Sequence, residues 1–285
     1  MPFTKSSDVI IPEILVDAIQ GEFVGATLLA NSGVAVISNT LPANHRGGDT
    51  VKVPYFGTLG EMEDITNEGD ALTPESLSQS FETATVIHAG KAFETTEWAR
   101  LKAANDPYEE AARQFRILTE RRVDRALIEK ATAALPSGFV YTSNKNIDYD
   151  TIVDASGLWG DQQAAIRMLG VHSKVYRDLL KLKDSTGRNL LVLPTGPGDV
   201  PRFVGIPVFV SDKCNVIAGS PTTYESIIVK DAALAFWYQQ EPIVLTDTDI
   251  LAHSDVLAIH MYFAVHRYLR VRGSTYPGVI KVVTT

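Results

Sequence analysis

The sequence predicts an α+β fold, and three observations carry that reading. Val51, Val53 and Tyr55 alternate with Lys52 and Pro54, and Phe81, Thr83, Thr85 and Ile87 alternate in the same way, the period-two signal of strands. After Pro107 no proline or glycine occurs until Pro136, which reads as one long helix. The rest of the chain mixes short helical and strand patterns, then closes on apolar runs rich in β-branched residues.

The chain has 285 residues, 45% of them hydrophobic, enough for a sizeable core in one large or two ordinary domains. A net charge of -8 excludes a protein whose whole surface grips phosphates, which needs clustered Lys and Arg. The one cysteine, Cys214, reads as a small buried hydrophobe. The start of the chain lacks the basic and apolar regions of a signal peptide. The apolar stretch 256–265 contains His260 and is too short to span a bilayer.

Residues 1–44 read as an N-terminal arm, with a short helix in 10–29 after Pro12 that Gly21 and Gly25 weaken. Residues 45–96 hold the two strand patterns, separated by a polar stretch at 57–79 with Gly60, Gly69 and Pro74. This reads as a long two-stranded excursion with a wide tip, Pro54 suiting an edge strand. A strand of about ten residues reaches roughly 33 Å, and an isolated hairpin is marginal in water, so it needs another surface to lie on.

The helix opens with Asp106 as cap, Pro107 at its first position and Glu109 completing a capping box. Glu110 adds to the charge at the positive end of the dipole. About 28 residues give about 42 Å. Its apolar stripe of Ala111, Phe115 and Leu118, then Val123, Ala126, Leu127 and Ala131, shifts phase where Arg121 and Arg122 stand. The pattern predicts a helix only partly covered by its own chain.

Residues 148–245 read as a compact mixed domain, with helices at 158–169 and 173–182 and strands at 190–193, 207–211 and 226–229. Gly196-Pro197-Gly198 marks a turn. Residues 246–285 return to β, with an apolar run at 256–271, a turn at 273–278 and a strand at 279–283. Periodicity does not separate strand from helix over 256–267.

This order of parts resembles the Hong Kong 97-like capsid fold of tailed-phage major capsid proteins. The wording supports it: Gly170-Val171-His172-Ser173-Lys174-Val175-Tyr176-Arg177-Asp178-Leu179-Leu180, then Lys183-Asp184 and Gly187, then Gly205-Ile206-Pro207-Val208. The segment 242–266, with Thr246-Asp247-Thr248-Asp249-Ile250, is similar to the C-terminal part of that family. The resemblance implies an N-arm at 1–44, an extended β-hairpin E-loop at 45–96 and a peripheral domain with its spine helix at 97–147. It further implies an axial domain at 148–245 and a β return of the peripheral domain at 246–285.

As function, the resemblance implies a structural subunit that is not an enzyme and assembles into pentamers and hexamers of an icosahedral head. That head would enclose double-stranded DNA without sequence-specific binding and without a membrane. Implied partners are a portal, a decoration protein and a scaffold. Because the arm begins near Met1, the scaffold is expected as a separate protein. The implied location is the virion, assembled in the host cytoplasm. Some relatives cross-link Lys to Asn; Lys91 is present, but no pair is identified. Two alternatives stay open: a cellular nanocompartment shell of the same fold, and a soluble α+β enzyme with a site in 148–245.

Catalytic, cofactor and metal signals are weak. No G-x-S-x-G elbow or G-K-[ST] phosphate loop occurs. Asp247 and Asp249 could flank a cation, but a solvated turn is the plainer reading. His260 and His266 share a strand face without H-E-x-x-H and read as packed or interface histidines. Trp98, Trp159 and Trp237 read as core or interface anchors.

The charge pattern is sharper. Residues 49–75 carry seven acids (Asp49, Glu61, Glu63, Asp64, Glu68, Asp70 and Glu75) and one base, Lys52. Residues 256–285 carry no acid but Arg267, Arg270, Arg272 and Lys281. The helix adds Arg113, Arg116, Arg121, Arg122 and Arg125. Each run can be a solvated face. The sharper expectation is that the acidic excursion lies on the basic helix or C-terminal sheet of a neighbour. Glu61, Glu63, Asp64, Glu68, Asp70, Arg113, Arg121, Arg122, Arg125, Arg267 and Arg270 are the candidate contact residues.

Overall fold

The computed structural model describes residues 32, 34–38, 49–57, 59, 62, 64, 72–103, 107–163, 165–194, 196, 199–269 and 276–285. The expected helix at 10–29, the cap at Asp106 and the turn at 273–275 lie outside these residues. Two sheets and one long helix between them make the body. The first sheet has β1 (Ala35–Ser38), β2 (Thr50–Phe56), β3 (Gln79–Thr96), β11 (Leu234–Asp249) and β12 (Ser254–Arg267), in the order β1-β11-β12-β3-β2. The second runs β4 (Val140–Thr142), β13 (Val279–Thr284), β10 (Thr223–Lys230), β5 (Ile166–Val171), β8 (Ile206–Val210), β7 (Arg202–Phe203), β6 (Leu191–Val192). A short β9 (Val216–Ile217) also pairs with β10.

The helices are α1 (Glu97–Lys102), α2 (Pro107–Thr132), α3 (Tyr149–Gly157) and α4 (Ser173–Lys181). In α2 the buried stripe runs Ala111, Phe115, Thr119, Val123, Leu127, Ala131 without a break. The expected phase shift is absent because Thr119 occupies the stripe. Its hydroxyl donates to the Phe115 carbonyl at 2.8 Å, so a polar side chain sits there satisfied. Leu118, assigned to the stripe from sequence, is exposed instead.

The C-terminal half of α2 packs on both sheets at once. Val123, Ala126, Leu127 and Ile128 meet Leu234, Phe236, Met261, Phe263 and Val265 on one side and Met168, Ile227, Val229 and Val279 on the other. The far face of the second sheet carries a separate core, where Ile152, Ala155, Val175, Leu179 and Trp159 cover Leu169, Val171, Ile228 and Ile280. Trp159 is fully buried and donates its ring N–H to the Pro277 carbonyl at 2.8 Å.

Strand β3 is divided between two partners. Val86 to Thr96 pair with β12, and Gln79 to Thr85 pair with β2. The predicted alternation holds, with the face reversed. Ala84 and Val86 point to the core, while Phe81, Thr83, Thr85 and Ile87 are exposed. At its base the β2–β3 ribbon does find a surface, with Val51 and Ala84 packed on Ala235, Trp237 and Ala264.

Residues 158–169 do not form one helix. Asp148 caps α3 by accepting from the Thr151 N–H at 2.7 Å, so the helix starts and ends earlier. Gly160 (φ 58°) and Ala165 (φ 67°) then turn the chain left-handed. The strand that follows, β5, is buried between β10 and the parallel β8. A strand buried on both faces shows no alternation, which hid it. The segment 256–267 resolves as strand, within β12. The sheets also cut across the expected domain limits. Strand β11, mostly inside 148–245, belongs to the first sheet, and β13, inside 246–285, to the second. The turn between β10 and β11 uses Ala232 at φ 51°, where no Gly or Pro announces a break.

Phe263→Ala should lower the stability of the folded chain by about 3–5 kcal/mol. Phe81→Ala, on the exposed ribbon face, should change it by less than about 0.5 kcal/mol. Urea unfolding followed by fluorescence distinguishes the two.

Candidate subunit-contact surfaces

Of the candidate contact residues, Glu61, Glu63, Glu68, Asp70 and Arg270 lie outside the described residues, and Asp64 is exposed in the 57–79 stretch. The helix arginines stand on the open flank of α2, but most are used locally. Arg113 pairs with Glu110 at 2.7 Å, and Arg125 with Glu129 at 2.7 Å. Arg122 lies 3.6 Å from Glu129 and stacks its guanidinium over Phe263. Arg121 is exposed, and no ion pair of its own is found among the described residues.

Arg267, grouped from sequence with the contact residues, is instead buried in its own chain. Its guanidinium donates to the carbonyls of Lys130, Ala131, Ala133 and Ala134 at 2.9 to 3.3 Å. It therefore caps the C-terminal end of α2, where orphan carbonyls and the negative end of the dipole favour a cation. Lys281 is likewise spent, on buried Glu225 at 3.0 Å.

The other polar candidates also have structural roles. The Asp249 carboxylate accepts from the N–H groups of Leu251 and Ala252, so this acid builds the β11–β12 turn. Burial pushes the Cys214 thiol up to about 12, which leaves no thiolate for chemistry near neutral pH. His266 is buried between Trp237 and Tyr268. Its Nε2 lies 2.8 Å from Glu82 at the ribbon base, but the carboxylate is out of hydrogen-bonding alignment. Burial, with Lys130 and Arg267 nearby, pushes His266 down to about 4 from the usual 6.5.

Sequence reasoning named Trp98 as a core or interface anchor but missed the other exposed apolar side chains near it. Trp98 (70% exposed) and Leu101 (78%) stand on α1, which has no buried residue. The adjacent β11–β12 turn presents Ile250 and Leu251 (96%); it is held to α1 by the Glu97 N–H to the His253 carbonyl at 3.0 Å. Met62 is fully exposed, and Phe56, Leu72, Leu77 and Phe81 follow along the ribbon. The signal was present as two apolar residues at helical spacing in a helix too short to bury them, and two more at a hairpin turn. An open cleft of about 430 Å³ beside α2 is lined by Lys91, Leu118, Thr119, Arg122, Ile259 and Met261.

Among the described residues no three His, Cys, Asp or Glu side chains gather as a metal site, and no helix is long and apolar enough to cross a membrane.

This geometry is that of a capsid protein fold. Solved structures from Microbacterium phage Oxtober96 (TM-score 0.65, 12% identity, 100% of this chain and 96% of that one) and from the Cyanophage Pam1 capsid asymmetric unit (0.64, 14%, 100% and 96%) share it. So does the capsid of a native GTA particle (0.64, 14%, 100% and 95%). The Hong Kong 97-like fold expected from the order of parts is thus the fold of the chain. In sequence the chain is similar to the major capsid protein of Bacillus phage SPP1, with 24% identity over 202 residues. That match covers 65% of this chain and spans 62% of the relative's length. No family model matches the chain.

Arg267→Met should destabilise the subunit by about 2–3 kcal/mol by orphaning carbonyls at the end of α2. Arg267→Lys should recover only part of that, because one ammonium cannot span four carbonyls; thermal unfolding reads both. For His266, the folded chain refuses a proton that the unfolded chain accepts. Its contribution is therefore whole above pH 6.5 and lost as pH falls towards 4. His266→Gln should flatten that part of the stability–pH curve, measured as urea midpoints from pH 7.5 to 4.5.

Proposed function

We propose that the chain is the major capsid subunit of a tailed-phage head, a structural protein and not an enzyme. One observation carries this reading: apolar side chains stand in solvent on the β2–β3 ribbon, on α1 and on the β11–β12 turn, while the body has complete cores of its own. Large exposed apolar patches mark interaction sites. The shared capsid fold and the SPP1 relative support it.

In this reading residues 45–96 act as the E-loop and α2 as the spine helix. The ribbon crosses to a neighbouring subunit, and assembly into rings of five and six buries the exposed apolar groups on both partners. Charge sets register. The acids of 49–75 face the open flank of α2, where Arg121 is the cation least used by its own chain and Arg122 borders the cleft. DNA is contained, not read, which the net charge of -8 fits. A scaffold, a portal and a decoration protein complete the head.

Negative-stain microscopy of the purified protein should show large closed particles; a monodisperse monomer under all assembly conditions would overturn the reading. Arg121→Glu with Arg122→Glu should impair assembly, and Glu63→Lys with Asp64→Lys should partly restore it. Normal shells from the arginine variant alone would remove the charge-register part.

A further inference from the structure

The outer face of the first sheet, away from α2, carries a histidine pair that the shell role does not use. His88 and His260 stand on adjacent strands, diagonal to each other: Tyr262 is opposite His88, and Gly90 is opposite His260. The Nε2 of His88 lies 3.1 Å from the Nδ1 of His260. Two imidazole nitrogens bound to one tetrahedral zinc at about 2.05 Å each are held about 3.3 Å apart, so the pair already has close to the bite of one ion.

Two features fix this arrangement. The Tyr262 ring stacks on His88 with centroids 4.2 Å apart and planes within 5°, limiting its rotation. Gly90 makes room for His260, because a Cβ there would lie 2.8 Å from the His260 Nδ1 and 2.9 Å from the Ile259 carbonyl. A glycine inside a strand weakens it, yet here only a glycine lets the His260 ring lean across towards His88.

We propose that His88 and His260 form a two-imidazole site for one borderline divalent transition ion of the zinc, nickel and copper class. Imidazole nitrogens suit these ions, and among the described residues no carboxylate joins the pair to favour magnesium or calcium. The ring that donates the shared hydrogen bond moves that proton to its other nitrogen. Each ring thus offers one lone pair to the ion, which completes its shell with water. Bound, it joins β3 to β12 beside the ribbon base and stabilises the folded chain by mass action.

The test uses the full-length, unassembled, chelator-stripped chain titrated calorimetrically with Ni²⁺ and Zn²⁺, and with Mg²⁺ as control. One Ni²⁺ or Zn²⁺ per chain and no Mg²⁺ is expected. His88→Gln, His260→Gln and Gly90→Ala should each weaken binding at least about tenfold, in the range that disturbed metal sites lose. His253→Gln should leave it unchanged. In case a variant folds poorly, Cu²⁺ added to the wild-type chain should broaden the ring proton signals of His88 and His260 before those of His172. A histidine pair that is structural only would show the opposite: equal affinity in the wild type and the His260→Gln variant, or broadening that spares both rings. Either result overturns the site and leaves the shell reading untouched, since assembly is scored separately by microscopy.

Discussion

Everything in this fold depends on α2 being gripped between two sheets. Its C-terminal half is the only described helix segment that meets both, and the apolar side chains it buries come from strands far apart in sequence. Burial on opposite sides demands a helix with apolar residues around much of its circumference. The sequence Ala126-Leu127-Ile128 supplies that over a single turn. Farther towards the N-terminus only one sheet covers α2, at Phe115 against Val244, Leu257 and Ile259, and the opposite flank opens to solvent. Thr119 and Thr132 extend the buried stripe because each hydroxyl is bonded to a carbonyl four residues back.

Elements with a sharp local signal were legible in the sequence. The alternation of β2, the break-free run of α2 and the Gly-Ile-Pro-Val start of β8 all stand where the pattern put them. The Val204-Gly205 turn before β8 has both residues at positive φ, as a two-residue hairpin requires. Elements defined by tertiary pairing were not legible. Strand β1 exists because Ala35 to Ser38 lie parallel to β11, and four residues carry no period. Strand β11 breaks its own alternation, with Leu234 to Tyr238 all buried because α2 covers one face and the ribbon base the other. The reversed faces of β3 have the same cause: small Ala84 fits under the ribbon, and bulky Phe81 does not need to.

The charge pattern shows how composition misleads about contact. Ten or so basic residues on a helix and a C-terminal sheet suggest one field, yet geometry spends them one by one. Arg267 is consumed by helix carbonyls, Lys281 by Glu225, Arg113 and Arg125 by glutamates one helical turn away. An i,i+4 or i,i+3 partner is visible in the sequence; a cap supplied from 133 to 137 residues away is not. No ion pair of Arg121 is found among the described residues, and Arg122 is half engaged by the Phe263 ring. Exposed ion pairs such as those on α2 are screened by solvent and add little to stability, so they can rearrange at small cost.

The ribbon is the part that leaves the body, and its base decides where it goes. Val51 and Ala84 are locked against Trp237 and Ala264, and Glu82 sits beside His266 in a setting too buried for the imidazole to keep a proton readily. A neutral ring next to a carboxylate holds less tightly than an ion pair, but it also avoids the desolvation that burying two charges would cost. Packing therefore sets the exit direction, and electrostatics only trims it. A ribbon fixed at its root loses less freedom on docking than one that swings, and preorganisation of this kind raises affinity without any added contact. The exposed side chains of Phe56 and Phe81 on that ribbon therefore keep a fixed direction relative to the body.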